Sequence, residues 1–331
     1  MSTLQEKVKP LPLIGLAPMA GVTDQPMRVL CYRMGAQYAC TEMVSAVGWM
    51  CAKPNNPAYQ ILLSTAPEEY NTAVQLFGKD PVVMAEAAAR ACELGRFTSI
   101  DLNMGCPARK VTSGGEGSAL LRTPELAVKI MDAVKTHSFL PVTVKTRLGY
   151  DADSMNALLL ARAAEELGLK WICIHGRTRA QMYGGHADYA AIAAITRQVG
   201  IPVIANGDVF TPDDAVRALE ETGCSGLLAG RGAMGNPWLF RRIRQRLGGE
   251  PETEISPAER LATALEHIDR MVAYKGERLT VAEMRTHIGH YIAGVRGAAA
   301  MRRVLNTAGT TEEQKSLLQA LFTRAEQEES N

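Results

Sequence analysis

The segment Asp101–Lys110 reads Asp-Leu-Asn-Met-Gly-Cys-Pro-Ala-Arg-Lys and combines reactive residue types with residues that shape a turn. Pro107 keeps Cys106 out of the helical region, and Gly105 permits backbone angles that other residues avoid. The apolar run that leads into this segment predicts a strand, so Asn103 and Cys106 would be presented together at a strand tip. A buried structural cysteine in a strand-to-helix turn explains these residues equally well.

Cys106 by itself allows three roles. A buried structural thiol needs no partner, whereas a nucleophile needs a neighbouring group that favours the thiolate. A general acid must carry its proton at neutral pH, which is the usual state of a cysteine thiol. Metal binding is not supported, because there is no His-Glu-x-x-His motif and the histidines and cysteines do not cluster.

Polar side chains also end most of the other predicted strands. Lys145 closes the run Val-Thr-Val-Lys, where it would pair with Glu42, stabilise negative charge on a flavin, or form a Schiff base. Gln75 and His175 offer hydrogen bonds suited to ring carbonyls, although His175 fits a hydrogen-bonded core histidine as well. The turns after the last two strands are typical of a phosphate site. They contain Gly207, Asp208, Gly230, Arg231 and Gly232, and Asn206 ends the strand before the first of them.

The elements that must position these side chains alternate regularly from about residue 13. Eight short apolar strands, each followed by a helical run, predict a (β/α)8 TIM barrel. A doubly wound parallel sheet is the alternative, but no Gly-x-Gly-x-x-Gly motif follows the first strand. The predicted strands are Ile14–Pro18, Tyr38–Met43, Thr72–Leu76, Ser99–Asn103, Val142–Thr146, Trp171–His175, Pro202–Asn206 and Gly226–Ala229.

A linker near residue 250 predicts a boundary between a barrel domain, residues 1–250, and a small all-α domain, residues 251–331. Helices are predicted at 257–275, 280–292, 298–306 and 311–327. The stretch 284–303 carries arginines and histidines and no acidic residue. A solvated helical face would explain it, but further basic clusters at 241–246 and 177–179 favour a nucleic-acid surface.

Composition bears on the remaining questions of charge, disulfides and membrane or targeting segments. The 331 residues carry a net charge of +1, so a basic footprint must be local. The seven cysteines are odd in number and never spaced Cys-x-x-Cys, which disfavours disulfides. No long apolar segment and no signal-peptide core are evident. We therefore expect a cytoplasmic protein with no membrane segment and no metal, and a monomer by default.

Eight motifs run in order between about residues 10 and 245: Ala17–Asp24, Val74–Gly78, Asp101–Pro107, Gly117–Leu121, Val144–Gly149, Ile174–Arg179, Ile204–Asp208 and Ala229–Arg231. Together they resemble the flavin-dependent tRNA-dihydrouridine synthases, most closely the bacterial B-type branch. The stretch Arg285–Tyr291 is similar to the C-terminal tRNA-binding domain of that family.

The resemblance implies FMN across the barrel mouth, reduced by NADPH. Reduced FMN would then deliver hydride to C6 of a tRNA uridine, while Cys106 protonates C5 and Asn103 orients the base or the flavin. The expected FMN contacts are Pro18, Met19, Ala20, Gln75, Lys145, His175, Asn206, Gly207, Asp208, Gly230 and Arg231.

The resemblance also implies that tRNA presents a uridine swung out of its stack. Its phosphates would be held by shape and charge rather than by base reading. The expected tRNA contacts, besides Asn103, are Arg147, Arg177, Arg179, Arg285, His287 and Arg302. One departure is the Gly-rich loop 112–117, which contains Glu116 where basic residues are frequent in this family.

Two other functions stay open at this point. An FMN-dependent barrel acting on a free pyrimidine, of the dihydroorotate type, would share the chemistry but gives no reason for the basic helices. A tRNA-binding protein without catalysis would not need Cys106, Lys145 and His175 at strand tips. The sequence does not indicate which uridine is reduced, or whether NADPH is preferred over NADH.

Overall fold

The computed structural model describes residues 12–329, and the expected absence of a signal peptide concerns residues outside that range. Nine parallel strands form one sheet that curls into a barrel. They are β1 (Leu13–Leu16), β2 (Ala39–Cys40), β3 (Val44–Ser45), β4 (Thr72–Phe77), β5 (Ser99–Met104), β6 (Val142–Arg147), β7 (Trp171–His175), β8 (Val203–Asn206) and β9 (Gly226–Ala229).

The strand order β1-β9-β8-β7-β6-β5-β4-β2 leaves β1 and β2 at the two ends of the sheet. Two backbone hydrogen bonds join these ends: Leu16 N–H donates to Tyr38 O, and Gln37 N–H donates to Ile14 O, both at 2.8 Å. The sheet is thereby closed, and the predicted (β/α)8 barrel is confirmed.

Fourteen α-helices lie within the described residues. They are α1 (Gln25–Arg33), α2 (Ala46–Cys51), α3 (Pro57–Leu62), α4 (Pro81–Glu93), α5 (Arg109–Thr112), α6 (Pro124–His137), α7 (Ala157–Glu166), α8 (Tyr189–Thr196), α9 (Pro212–Thr222), α10 (Leu239–Leu247), α11 (Pro257–Lys275), α12 (Glu277–Tyr291), α13 (Ala298–Leu305) and α14 (Thr311–Glu329). Short 3₁₀ turns occupy Gly117–Arg122 and Arg231–Ala233. None of these helices is long and apolar enough to cross a bilayer.

The second predicted strand is the one element that differs clearly. The run Tyr38–Met43 is not one strand, since only Ala39–Cys40 pairs before a break and Val44–Ser45 pairs after it. At the break the Thr41 hydroxyl oxygen accepts the Gln75 N–H at 3.0 Å, and that hydroxyl donates to Glu42 O. A side chain therefore takes over a ladder hydrogen bond of β4, and Thr41–Met43 leaves the sheet.

Local sequence explains where several helices begin. Asp80 caps α4 and is followed by Pro81, while Thr211 and Asp214 form a reciprocal capping box at the start of α9. The apolar faces of these helices cover the outside of the sheet, whose strands are almost entirely buried. This is the double coverage that a parallel sheet requires.

Helices α11 to α14 share a second apolar core. This core includes Met271, Ile288 and Phe322, and it also takes in Trp238, which lies on the barrel side of the predicted boundary at residue 250. All four predicted C-terminal helices are confirmed. Because Trp238 belongs to their core, the helical region is anchored to the barrel by apolar packing.

A buried ion pair also joins the helical region to the barrel. Lys275, at the end of α11, donates to Asp24 Oδ2 at 2.9 Å and also pairs with Glu283. The side chains of Lys275 and Asp24 are 8% and 1% exposed. Asp24 caps α1 at the mouth of the barrel with its other oxygen.

We expect Lys275→Met to lower the free energy of unfolding by about 3–5 kcal/mol, because it leaves the buried Asp24 carboxylate unpaired. Lys315→Met is the matched control, since the acids that pair with Lys315, Asp269 and Glu312, are exposed. Its cost should stay under about 1 kcal/mol. Urea unfolding measures both, and equal losses would contradict a structural role for the Lys275 pair.

Candidate active site

A cavity of about 550 Å³ opens at the carboxyl ends of the strands. Its volume lies within the range of small-molecule sites, and its position is that of active sites in this fold. The cavity brings together fourteen of the residues singled out in the sequence: Pro18, Met19, Ala20, Gln75, Asn103, Cys106, Lys145, Arg147, His175, Asn206, Gly207, Asp208, Gly230 and Arg231.

Strand register explains why residues so distant in sequence meet. Asn103 on β5 lies opposite Lys145 on β6, and Arg147 lies opposite His175 on β7. His175 in turn lies opposite Asn206 on β8. Because all the strands are parallel and the sheet is closed, these side chains share one rim.

Cys106 is held by its backbone on both sides. Asn103 Oδ1 accepts the Cys106 N–H at 2.9 Å and the Gly105 N–H at 3.2 Å. The Cys106 carbonyl accepts the Ser118 N–H at 3.1 Å and the Ser118 hydroxyl at 2.9 Å. Gly117 has φ +60°, and a Cβ there would lie 2.9 Å from the Cys106 carbonyl. The end of the Gly-rich loop therefore packs directly behind Cys106.

Lys145 does not pair with Glu42, which was one of its predicted alternatives. Its ammonium donates to Asn206 Oδ1 at 2.9 Å, while Glu42 accepts the Gly21 N–H. The other end of the Asn206 amide donates to Leu228 O at 2.7 Å, which fixes the amide orientation. Lys145 thus holds a positive charge at the cavity wall.

His175 is 8% exposed and surrounded by cations. Burial lowers the pKa of His175 to about 2, and the positive charges of Lys145, Arg147, Arg177 and Arg231 act in the same direction. The imidazole is therefore neutral at physiological pH. It can donate or accept a hydrogen bond with a ligand, but it cannot act as a general acid there.

Arg177 was expected to contact tRNA phosphate, and this is corrected by its location. It is 1% exposed, donates to Asp208 at 2.7 Å, and also donates to the carbonyls of Gly184 and Gly185. Its guanidinium is thus occupied inside the fold. Its role is to hold Asp208 at the cavity wall.

Asp208 adopts φ +50°, an uncommon angle for a residue other than glycine. Burial raises the pKa of its carboxyl, but the Ala187 N–H and the Arg177 guanidinium outweigh burial and leave the pKa below its usual value. Arg231 donates to the same carboxylate at 3.3 Å and keeps part of its guanidinium exposed. Arg231 is therefore the cation of this group that a ligand can reach.

The predicted tRNA residues in the helical region separate into two kinds. Arg285 and Arg302 are exposed, and each donates one hydrogen bond to a backbone carbonyl. His287 is fully buried against the His267 ring, with 4.6 Å between ring centroids, so its expected tRNA contact is wrong. Arg179 lies half-buried at the barrel rim, 5.2 Å from the Tyr150 ring.

Three of the four arginines in the basic cluster 241–246 are paired with acids, and Arg244 is exposed. Arg241 pairs with Glu259, and Arg242 and Arg246 both pair with Glu252. These acids follow the cluster in the same stretch of chain, so most of its charge is balanced locally. It does not support a nucleic-acid surface.

Several cavity residues were missed in the sequence. Tyr183 and Phe210 lie in the loops after β7 and β8, and the Arg231 guanidinium lies 4.7 Å and 5.4 Å from their ring centroids. Both aromatics are about half exposed. Large aromatic side chains in loops that follow barrel strands were the available signal. Among residues 12–329 no group of three or more His, Cys, Asp or Glu side chains could hold a metal ion.

The low pKa of His175 has a consequence for stability. In the unfolded chain the His175 imidazole binds a proton near pH 6.5, whereas in the folded chain it does so only near pH 2. Its contribution to the free energy of unfolding is therefore fully present above pH 6.5 and is lost as the pH is lowered. His175 should contribute a loss of about 1.4 kcal/mol between pH 7.5 and 5.5. We expect His175→Gln to flatten the pH dependence of urea unfolding by that amount. An unchanged slope would show that His175 is protonated in the folded protein.

Comparison with known proteins agrees with this site. The profile of the family described as Dihydrouridine synthase (Dus) matches residues 15–326. The tRNA-dihydrouridine synthase B of Pseudomonas aeruginosa is 41% identical over 93% of this chain and 92% of its own, and that of Vibrio cholerae is 42% identical over 93% and 94%. A probable tRNA-dihydrouridine synthase of Rhodobacter capsulatus is 40% identical over 95% and 96%. This chain belongs to the dihydrouridine synthase family.

Proposed function

We propose that this protein is a tRNA-dihydrouridine synthase, which reduces the C5=C6 bond of uridine in tRNA with FMN as its cofactor and NADPH as its reductant. The observation that carries the proposal is the cavity itself. It has a partly exposed thiol, Cys106, on the same rim as an ammonium held by an amide oxygen, a neutral imidazole and an exposed guanidinium.

The donor set fits FMN. Lys145 and the neutral His175 supply a positive charge and a hydrogen-bonding ring for the polar edge of an isoalloxazine. The 3₁₀ turn Arg231–Ala233 begins directly after Gly230, so its first backbone N–H groups, with the Arg231 guanidinium, suit a phosphate. At Gly232 a Cβ would lie 2.1 Å from Val209 O, so only glycine permits this close turn.

FMN, when bound and reduced by NADPH, supplies the hydride for C6 of the uracil. The protein then has to provide a proton at C5 and to stabilise charge. Cys106 Sγ gives up that proton as the general acid, because its backbone is fixed on both sides and its side chain faces the cavity. Lys145 stabilises negative charge within the cavity.

Two residues that were predicted to contact FMN have side chains that are already engaged with other protein groups. Gln75 is 2% exposed, and both ends of its amide are already engaged, with Asp101 and with Asn103. Asp208 is a carboxylate and therefore holds Arg231 for the phosphate rather than binding the phosphate itself. Arg147 is 2% exposed and bonded to the carbonyls of Gly105 and Thr178, so it shapes the cavity wall beside Cys106.

The tRNA would lie over the rim and the helical region. Arg285 and Gly289 are one turn apart on α12, and Arg302 of α13 donates to Gly289 O, so the two guanidiniums share a face. With Arg303 nearby on α13, this face suits a phosphate backbone. We take residues 1–250 as the catalytic domain and 251–331 as the tRNA-binding domain of a cytoplasmic monomer.

We expect Cys106→Ala to retain FMN and its reduction by NADPH but to form dihydrouridine on the order of 100- to 10,000-fold more slowly, the usual loss on removing a general acid. Stopped-flow absorbance follows the first step, and nucleoside analysis of tRNA follows the second. Cys51→Ala is the control, because Cys51 is the other accessible thiol among the seven. Unchanged product from Cys106→Ala would remove the general-acid role.

We expect Arg285→Ala with Arg302→Ala to weaken tRNA binding and to reduce the slope of log K against log salt by up to about two. Flavin reduction should not change. The matched control is Arg162→Ala with Arg197→Ala, which removes two exposed charges from α7 and the end of α8. If both pairs weaken binding equally, the effect is one of net charge and the proposed surface is wrong.

A further inference from the structure

A line of side-chain hydrogen bonds leads from the interior of the barrel to the Cys106 loop. Asp101 Oδ2 accepts from Gln75 Nε2 at 2.7 Å, and Gln75 Oε1 accepts from Asn103 Nδ2 at 2.9 Å. Asn103 Oδ1 then accepts the Cys106 and Gly105 N–H groups. Asp101 is 0% exposed and does not line the cavity, so it has no direct access to a ligand.

The direction of this line is set at its buried end. A side-chain amide can be turned so that oxygen and nitrogen exchange places, whereas a carboxyl oxygen without a proton can only accept. Both Asp101 oxygens do accept, the second one from the Thr143 hydroxyl at 2.6 Å. The Gln75 NH₂ must therefore face Asp101, which turns its oxygen toward Asn103.

The same constraint passes to the next amide. Because Gln75 presents an oxygen, Asn103 must present its NH₂ to Gln75 and its own oxygen to the loop. The opposite orientation would place an NH₂ group against the two N–H donors of Gly105 and Cys106, and these half-buried groups would lose their protein partner. The Asn103 oxygen that holds Cys106 is thus oriented by the Asp101 carboxylate, with the Gln75 amide between them.

We propose that Asp101 is a positioning residue for Cys106: through Gln75 and Asn103 it fixes the acceptor that holds the Cys106 backbone where its thiol can reach uracil C5. The catalytic part of this inference rests on the proposed function. The structural part, that Asp101 orders the Gly105–Cys106 backbone, does not.

Three variants of the network separate the possibilities. Asp101→Ala removes the acceptor and leaves the Gln75 amide free to turn. Thr143→Val removes the other hydrogen bond of the same carboxylate but leaves the line to Cys106 intact, so it is the matched control. Asp101→Asn can restore the line, because its oxygen can accept from Gln75 while its NH₂ donates to the Thr143 hydroxyl.

Hydrogen exchange by mass spectrometry tests the structural part without any activity. In Asp101→Ala the amides of Gly105 and Cys106 should exchange faster than in the parent, while Thr143→Val and Asp101→Asn should remain near the parent. Unchanged exchange in a folded Asp101→Ala protein would overturn the proposal. If that variant does not fold, Gln75→Met cuts the line at its next member and carries the same expectation.

Half-reactions test the catalytic part. Asp101→Ala should slow tRNA-dependent reoxidation of the reduced enzyme on the order of 100-fold, as small misplacements of a reacting group do, with NADPH-dependent reduction unchanged. In a Cys106→Ala background the same substitution should have no further effect, since the two residues act as one unit. Equal slowing in both backgrounds would overturn the positioning role. A parent enzyme that forms no dihydrouridine would instead refute the proposed function and leave the exchange result standing.

Discussion

The two backbone hydrogen bonds between β1 and the segment before β2 close the sheet, and the active site depends on that closure. In an open sheet of this strand order the tips of β1 and β2, the two edge strands, would lie far apart. Pairing of β1 with β9 places Pro18 and Met19 beside Gly230 and Arg231, and closure onto the segment before β2 brings the tip of β4, with Gln75, onto the same rim. A ligand can then contact residues from both edges of the sheet at once.

Electrostatics within this rim follow from a single arrangement of charges. Two arginines and two lysines line the cavity, Arg177 lies beside His175, and Asp208 is the acid that pairs with Arg177 and Arg231. Burial, helped by the surplus of positive charge, lowers the pKa of His175 and keeps it neutral, and the same positive charge gives an anionic ligand a favourable environment. Arg177 and Arg147 are buried and bonded to protein groups, so their charges shape the wall, whereas Lys110, Lys145 and Arg231 line the cavity where a ligand can meet them.

Attachment of the helical region combines apolar and ionic contacts. Trp238 places the barrel chain in the core of α11 to α14, and Lys275 reaches back to Asp24 at the barrel mouth. Such contacts hold the Arg285–Arg302 face at a defined orientation to the cavity. A tRNA bound on that face would then present its uridine to one place.

Much of this arrangement could be read from the sequence because it is local. Strand and helix periods, helix caps and the residues at strand tips predicted the barrel and gathered Cys106, Lys145 and His175 correctly. What could not be read depends on partners remote in sequence. Arg177 resembles a surface arginine in the sequence but is buried against Asp208, and His287 is covered by His267. Arg241, Arg242 and Arg246 are paired with Glu259 or Glu252, which lie outside the basic cluster itself. The break after Cys40 likewise needed the Thr41 hydroxyl, whose partner lies on β4.

The most direct measurement is the anaerobic visible spectrum of the purified protein, taken before and after NADPH and then after tRNA that lacks dihydrouridine. The account predicts flavin bands that bleach with NADPH and return when that tRNA is added. Bands that bleach but ignore tRNA would indicate a small-molecule reductase. A colourless protein that does not take up FMN would contradict the account outright.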